Sequence, residues 1–339
     1  MRAKIVFYSA LCVILGTSVW LVLSHAHWAK SSLHPEVSSK TTPSPTRTVA
    51  ATKTAVAPAP DSSSQVMSWQ QAKWSPAVNA IVDDQAAYDQ RLAAIDTMAG
   101  KKLSDADREA LYAFLRQKSG LDNGQLEQVV KNRLMDVLCA LDPPPPGLLD
   151  LLAQIYHDPD QNVVLRDYAV QHVAAFYQQM EIATDVDPQD KSAGLAAARK
   201  ILWDALSETD NSIAGTALLG LTRLSKESPE AFDPRQIGGV AEQMAGLATS
   251  GELTRITAIQ VCAQLNVQDA LPVIQAAVEN GQTMTVRISA IGALGSMGGA
   301  EEIPLLNRVL QGAEERLKLP AQQALKQIEN RLQTQVTSR

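Results

Sequence analysis

From about residue 105 onward, hydrophobic positions recur three and four residues apart, which is the spacing of one face of an α-helix. The clearest apolar stripe consists of Ala290, Ile291, Leu294 and Met297. The pair Gly298-Gly299 follows this stripe, and glycine accepts the left-handed backbone of a helix end. Pro304 then suits the first turn of the next helix, where a missing N–H costs little. The pattern predicts pairs of short amphipathic helices.

The helical pattern repeats along the chain with a period of 32 residues. Residues 254–259 (Thr-Arg-Ile-Thr-Ala-Ile) match residues 286–291 (Val-Arg-Ile-Ser-Ala-Ile) at that shift. A third copy follows at a shift of 31 residues. The alanines that recur in the three copies are Ala258, Ala290 and Ala321. Alanine is small enough to let neighbouring helices approach closely, so each copy is expected to pack against the next.

Weaker copies precede these three. They lie at residues 131–138, 166–170 and 214–221. The distance from Ala169 to Ala217 exceeds one period by about 16 residues, which predicts a loop or an extra turn over residues 180–197. Further upstream, residues 104–118 read as an amphipathic helix with Ser104 as its N-cap.

The element Val286 to Gly295 (Val-Arg-x-x-Ala-x-x-Ala-Leu-Gly), followed by an acidic residue and a proline, resembles the HEAT-repeat family in its short form of about 30 residues. The resemblance implies an all-α fold, a right-handed α-solenoid of antiparallel helix pairs over residues 105–335. It implies protein binding and no shared chemistry. Residues 67–104 are expected to form an N-terminal helical cap.

Charged residues recur at fixed places in the copies. One interpretation is that these residues form a row of charges, the ladder, that binds a partner. The other, which the resemblance implies and which we favour, is a set of ion pairs and carbonyl contacts that tie adjacent units together. The ladder comprises Arg166, Arg255, Arg287, Lys318, Asp269 and Glu301.

The N-terminal segment Ile5 to Leu23 contains 19 uncharged residues and follows Arg2 and Lys4. At about 1.5 Å per residue it matches a hydrocarbon core of about 30 Å. It predicts a transmembrane signal-anchor within residues 1–29, with a cytoplasmic N-terminus and with residues 5–23 in the lipid bilayer. The alternative is a signal peptide cleaved after Ala26, which would release a soluble, secreted solenoid.

Composition and charge restrict the classes of molecule that the chain is expected to bind. Residues 30–66 consist largely of Ser, Thr, Pro and Ala, which predicts a disordered linker. Residues 1–65 carry six basic and two acidic residues, so the remainder carries 24 basic and 34 acidic ones, a formal charge of −10. Because an acidic body repels phosphate backbones, nucleic acid is not expected as a partner.

Catalytic and metal-binding patterns are absent from the sequence. We find no Ser/His/Asp arrangement, nucleotide-binding loop or paired cysteine spacing, so no enzyme activity, cofactor or metal is predicted. The rival interpretation is a HEAT-like accessory factor or lyase-type enzyme acting on a protein-bound ligand, because short HEAT-like repeats occur in chromophore lyases and in an iron-dependent hydroxylase. The His-Glu metal pairs of that hydroxylase are absent here.

The favoured interpretation is a membrane-anchored adaptor or scaffold. It is expected to cross the cell inner membrane once and to present its C-terminal domain in the periplasm or another extracytoplasmic space. Its ligand is expected to be a protein. Because interface anchors are commonly aromatic, the candidate partner contacts are Tyr156, Tyr177 and Trp203.

Overall fold

The computed structural model describes residues 74–118 and 124–337, and every regular element in them is helical. The first seven α-helices are α1 (Pro76–Val82), α2 (Tyr88–Asp96), α3 (Asp105–Arg116), α4 (Gly124–Cys139), α5 (Leu148–His157), α6 (Val163–Ile182) and α7 (Pro188–Ala205). The remaining seven are α8 (Ile213–Glu227), α9 (Pro234–Gly246), α10 (Glu252–Gln264), α11 (Leu271–Asn280), α12 (Met284–Met297), α13 (Ile303–Gln311) and α14 (Glu315–Thr337). The all-helical prediction is confirmed for these residues.

Two predicted segments lie outside the described residues. They are the transmembrane segment at residues 5–23 and the linker at residues 30–66. Across residues 74–118 and 124–337, no helix has the length and apolar character needed to cross a membrane.

The helices form two rows. The even-numbered helices, the B row, pack successively against one another from α2 to α14. The odd-numbered helices, the A row, lie against the B row and contact one another less extensively. Each A helix except α3 makes extensive contact with the B helix after it, and these stacked pairs have the arrangement of an α-solenoid.

Local sequence signals explain where the helices begin. Ser104 Oγ accepts a hydrogen bond of 3.1 Å from the backbone N–H of Asp107, so the predicted N-cap of α3 is confirmed. Asp187 and Asp233 cap α7 and α9 in the same way. Five of the seven A helices also have proline in the first turn, where its missing N–H costs little. These prolines are Pro76, Pro188, Pro234, Pro272 and Pro304.

Small residues allow the B helices to pack closely. Ala258, Ala290 and Ala321 are all fully buried. A Cβ added to Gly295 of α12 would lie 2.9 Å from the Cα of Ala324 in α14, which is too close for real atoms. The close approach of α12 and α14 therefore requires glycine at position 295.

The end of α12 corrects one expectation. The helix stops before Gly298 as predicted, but the φ of Gly298 is −71°, outside the left-handed region. Glycine is needed there for space, because an added Cβ would lie 2.6 Å from the carbonyl oxygen of Leu294 and 3.0 Å from Cγ of Glu302.

The structure also corrects the expectation for the long interval between Ala169 and Ala217. No long loop occupies residues 180–197, because α6 continues to Ile182 and α7 begins at Pro188. The additional residues extend the two helices to 20 and 18 residues.

Candidate protein-binding surface

Arginines near the start of the B helices reach back to the last turn of the preceding A helix. In each case Nε donates a hydrogen bond to a backbone carbonyl. The pairs are Arg91–Ile81 at 2.9 Å, Arg166–Tyr156 at 2.7 Å, Arg255–Ala245 at 3.0 Å and Arg287–Val278 at 2.8 Å. The last carbonyls of a helix have no partner within it, and positive charge is favoured at that end. The sequence pattern had not identified Arg91.

Two of these arginines also bind the next helix pair. Arg166 Nη2 lies 2.7 Å and 2.9 Å from the two carboxylate oxygens of Glu208, and Arg287 pairs with Glu314. Lys318 instead pairs with Glu315 of its own helix, at 2.6 Å. The basic part of the predicted ladder is therefore a set of contacts within and between helix pairs.

The acidic part of the ladder differs from the expectation. Asp269 and Glu301 lie in short 3₁₀ turns and are exposed. The neighbouring Glu302 is the buried acid, and its carboxylate accepts hydrogen bonds from the backbone N–H of Gly299 and from Gln275 Nε2. This acid joins the start of α13 to α11.

Two of the three candidate aromatic contacts are in the core. Tyr156 is 3% exposed and Tyr177 is 5% exposed, and the ring of Tyr177 packs edge-on against Phe232 with centroids 4.9 Å apart. Their burial removes both rings from the partner surface expected from the sequence. Trp203 on α7 is half-buried and packs against the core.

A surface of low charge runs along the B row, and we call it the B face. It contains the residues two positions after the repeated alanine in four successive B helices. These residues are Gln171, Leu219, Gln260 and Gly292. All are exposed except Gln260, which is half-buried. Among the exposed residues of α6, α10 and α12, Glu252 alone carries a charge, whereas α8 exposes Arg223, Lys226 and Glu227 beyond Leu219. The A helices α7, α9, α11 and α13 all expose charged side chains.

Hydroxyl groups line the boundaries between these B helices. The residues immediately before the repeated alanine are Tyr168, Thr216, Thr257 and Ser289. Thr257 packs on Gly215 of the preceding B helix, where an added Cβ would lie 3.2 Å from its Oγ1. Ser289 Oγ is buried and has no hydrogen-bond partner among the described residues. This column of hydroxyls was not recognised from the sequence, although the alignment of the copies contains it.

Buried carboxyl and imidazole groups lie beside the B face on α6. Asp167 accepts a hydrogen bond of 2.5 Å from Ser212 Oγ, and burial raises the pKa of its carboxyl. His172 Nε2 lies 2.8 Å from Oδ1 of Asn132. Burial, with the charge of Arg223 adding to it, lowers the pKa of His172 to about 3, so the imidazole is neutral at physiological pH.

Metal ligands do not converge in the described ranges. No group of three or more His, Cys, Asp or Glu side chains within residues 74–118 and 124–337 is placed to hold a metal ion. Cys139 and Cys262 are buried free thiols, and burial raises the pKa of both.

Comparison with known protein families matches part of the chain. Residues 244–326 match the model of the HEAT repeats family. The matched segment runs from the end of α9 into α14 and contains the copies with the clearest repeat. No curated protein matches the chain.

Two solved structures show a distant likeness. Human deoxyhypusine hydroxylase in complex with glycerol is 16% identical with a TM-score of 0.32, over 75% of this chain and 95% of that one. An engineered protein is 13% identical with a TM-score of 0.37, over 75% of this chain and 68% of that one. Neither likeness is close enough to transfer a function.

Proposed function

We propose that this chain is a membrane-anchored, non-catalytic scaffold that binds a protein partner through the B face. The observation that carries the proposal is the near absence of charge among the exposed residues of three of the four B-face helices, α6, α10 and α12. Charged residues are depleted at the centre of protein interfaces, because desolvating an unpaired charge is costly. The match of residues 244–326 to HEAT repeats supports the proposal, since such repeats commonly mediate protein interactions.

The side chains of the B face suit a polypeptide ligand. The amides of Gln171 and Gln260 supply hydrogen-bond donors and acceptors without a formal charge, which allows them to pair with backbone groups of a partner. Leu219 is 43% exposed at the centre of α8 and offers an apolar anchor. The B face therefore combines apolar contact with neutral hydrogen bonding.

Membrane anchoring is the second part of the proposal. The uncharged segment Ile5 to Leu23 would hold the chain in the cell inner membrane, with the helical domain outside the cytoplasm. The linker at residues 30–66 would separate the two by a distance on the order of 35 Å. If the anchor is correct, the chain should resist carbonate extraction from membranes. Protease added to spheroplasts should digest the helical domain, and the mass of the chain should show no cleavage. A mass that begins after Ala26 would overturn the anchor.

The binding surface is tested by adding charge to it. A photo-crosslinking residue at Leu219, used in native membranes, should link the chain to one protein, and mass spectrometry identifies that protein. Gly292→Arg should then weaken the affinity of the purified pair at least tenfold. Nothing lies within 4 Å of a Cβ added at Gly292, so the variant should fold.

The A row provides a matched control. Gly239 of α9 is also a helical glycine with nothing within 4 Å of an added Cβ, and Gly239→Arg should leave the affinity unchanged. Equal weakening by both variants, or the absence of any cross-link at Leu219, would refute the B face as the binding surface.

A further inference from the structure

Exposed apolar side chains concentrate on one edge of the helix stack. We define the A-to-B edge as the connections that lead into B helices together with the first six residues of those helices. In the described part of the chain, eight of the eleven large hydrophobic residues that are exposed lie on this edge. The eight are Leu126, Val129, Val163, Val164, Leu247, Leu253, Ile288 and Leu319. Single exposed apolar residues are normal, but such a concentration indicates an interaction surface.

Hydrogen bonds join the central part of this edge into a continuous surface. Glu208, in the connection before α8, pairs with Arg166 in the first turn of α6. In the same connection, the carbonyl of Thr209 accepts a bond of 2.7 Å from the backbone N–H of Gly251, and that of Asn211 accepts one from Thr254 of α10. The connection is therefore held between Val163 and Val164 on one side and Leu253 on the other.

Carboxylates surround these apolar side chains. Asp158 and Asp160 precede α6, Asp210 precedes α8, and Glu252 begins α10. Asp158 is half-buried and the other three are exposed. Asp160 pairs with Lys118 at 3.1 Å. The charge of the 16%-exposed Arg166 is already shared between a backbone carbonyl and Glu208. Arg255 of α10 adds one positive charge, so Asp158, Asp210 and Glu252 leave this part of the edge with a net negative charge.

We propose that the edge from Val163 to Leu253 binds a basic amphipathic helix of a partner protein. Such a helix presents a straight apolar stripe flanked by cationic side chains. The stripe would pack on Val163, Val164 and Leu253, while its Lys and Arg residues would pair with Asp210 and Glu252. Anionic lipid headgroups are disfavoured because the edge has the same sign of charge. The proposal relies on the proposed function only in that the ligand is a protein.

The size of the surface sets the length of the bound helix. From α6 to α10 the edge crosses two helix spacings of about 8–10 Å, or about 16–20 Å in total. At about 1.5 Å per residue, this distance corresponds to 11–13 helical residues, roughly three turns or a little more. A helix of about 18 residues is therefore long enough to contact the whole patch.

The test uses a defined peptide. A fluorescent 18-residue helix of Leu and Lys, with Leu at helical spacing, is titrated against the full-length chain in nanodiscs of zwitterionic lipid, with empty nanodiscs as the blank. Binding is expected, and the double variant Val164→Ser with Leu253→Ser should weaken it at least tenfold. Asp210→Asn with Glu252→Gln should weaken it at least fivefold, and added salt should reduce this difference.

Matched variants on the opposite edge separate specific from general attraction. Ile182→Ser, and Glu230→Gln with Asp269→Asn, should leave the affinity unchanged, because these exposed residues lie where B helices lead into A helices. Equal weakening by those variants would overturn the proposal, as would unchanged binding in the Leu253 variant. Gly292→Arg should not affect the peptide, so failure of the B face and failure of this edge are distinguishable.

Discussion

The backbone carbonyl of Tyr156 accepts a hydrogen bond of 2.7 Å from Nε of Arg166, ten residues further along the chain. The same guanidinium lies 2.7 Å from Glu208 of the following helix pair. One side chain thus closes the pair α5 and α6 and connects it to α8. Because the Arg166 and Glu208 side chains are only 16% and 24% exposed, water screens this ion pair weakly.

Replacing Arg166 by methionine should reduce the free energy of unfolding by about 2–4 kcal/mol, because the variant leaves the Tyr156 carbonyl and the Glu208 carboxylate without their partner. Urea unfolding followed by far-ultraviolet circular dichroism measures the change. Lys200→Met is the control, since Lys200 pairs with Asp204 but is 75% exposed. That control should change stability by less than about 0.5 kcal/mol, and equal effects of the two substitutions would contradict the interpretation.

The sequence predicted the fold best where the repeat is regular. From Arg255 to Ala321 the copies nearly retain their spacing, so the buried alanines followed from periodicity, and the end of α12 and the start of α13 followed from Gly298 and Pro304. The segment at residues 180–197 shows why periodicity is insufficient elsewhere. When the interval between two copies exceeds the repeat period, the excess gives the number of inserted residues. It does not show whether those residues form a loop or lengthen the two helices. Here the inserted residues lengthen α6 and α7, which pack against each other.

The candidate surface was less predictable than the fold. Recurrence identified Glu301, but the buried acid is Glu302, because one residue changes the direction of a side chain in a 3₁₀ turn by about 120°. The aromatic character of Tyr156 and Tyr177 suggested contact with a partner, yet aromatic side chains fill cores as readily as interfaces. The exposed edge around Leu253 could not be predicted, because it is formed by connections that are distant in the sequence and adjacent only in the folded chain.

Two glycines of α12 should respond oppositely to the same substitution. Gly295→Ala should reduce the free energy of unfolding by about 1–3 kcal/mol, because its Cβ would collide with Ala324 of α14. Gly292→Ala should raise that free energy by about 0.5–1 kcal/mol, because alanine favours a helix and nothing lies near the added Cβ. Urea unfolding of both variants measures the difference. Destabilisation by Gly292→Ala would show that α12 packs differently.

Trp203 should contribute to stability and not to binding. Its indole is half-buried on α7 of the A row, so Trp203→Ala should lower the melting temperature and reduce the free energy of unfolding by about 1–3 kcal/mol. Affinity for the protein cross-linked at Leu219 should persist below the melting transition, because α7 is not part of the B face. An unchanged melting temperature together with lost affinity would instead place the partner on the A row.

His172 should make the domain less stable as the pH falls below neutrality. In the unfolded chain the imidazole takes up a proton near its ordinary pKa of 6.5, whereas in the folded chain burial lowers that pKa to about 3. The unfolded state therefore binds more protons between these values, and the stabilisation present above pH 6.5 is lost as the pH falls towards 3. Between pH 7 and pH 5 the loss should be about 2 kcal/mol.

The variant His172→Gln isolates this effect, because its amide can still bond to Oδ1 of Asn132 but does not titrate. Urea unfolding at pH 7, 6 and 5 should give a flatter stability profile for the variant than for the native chain. The carboxyls of Asp136 and Asp167 have pKa values raised by burial, so they favour the folded state as the pH falls and act in the opposite direction. Both remain in the variant, so the difference between the two profiles reports His172 together with its contact to Asp136, whose Oδ1 lies 3.8 Å from Nδ1 of the imidazole. Parallel profiles would mean that His172 takes up its proton equally in both states.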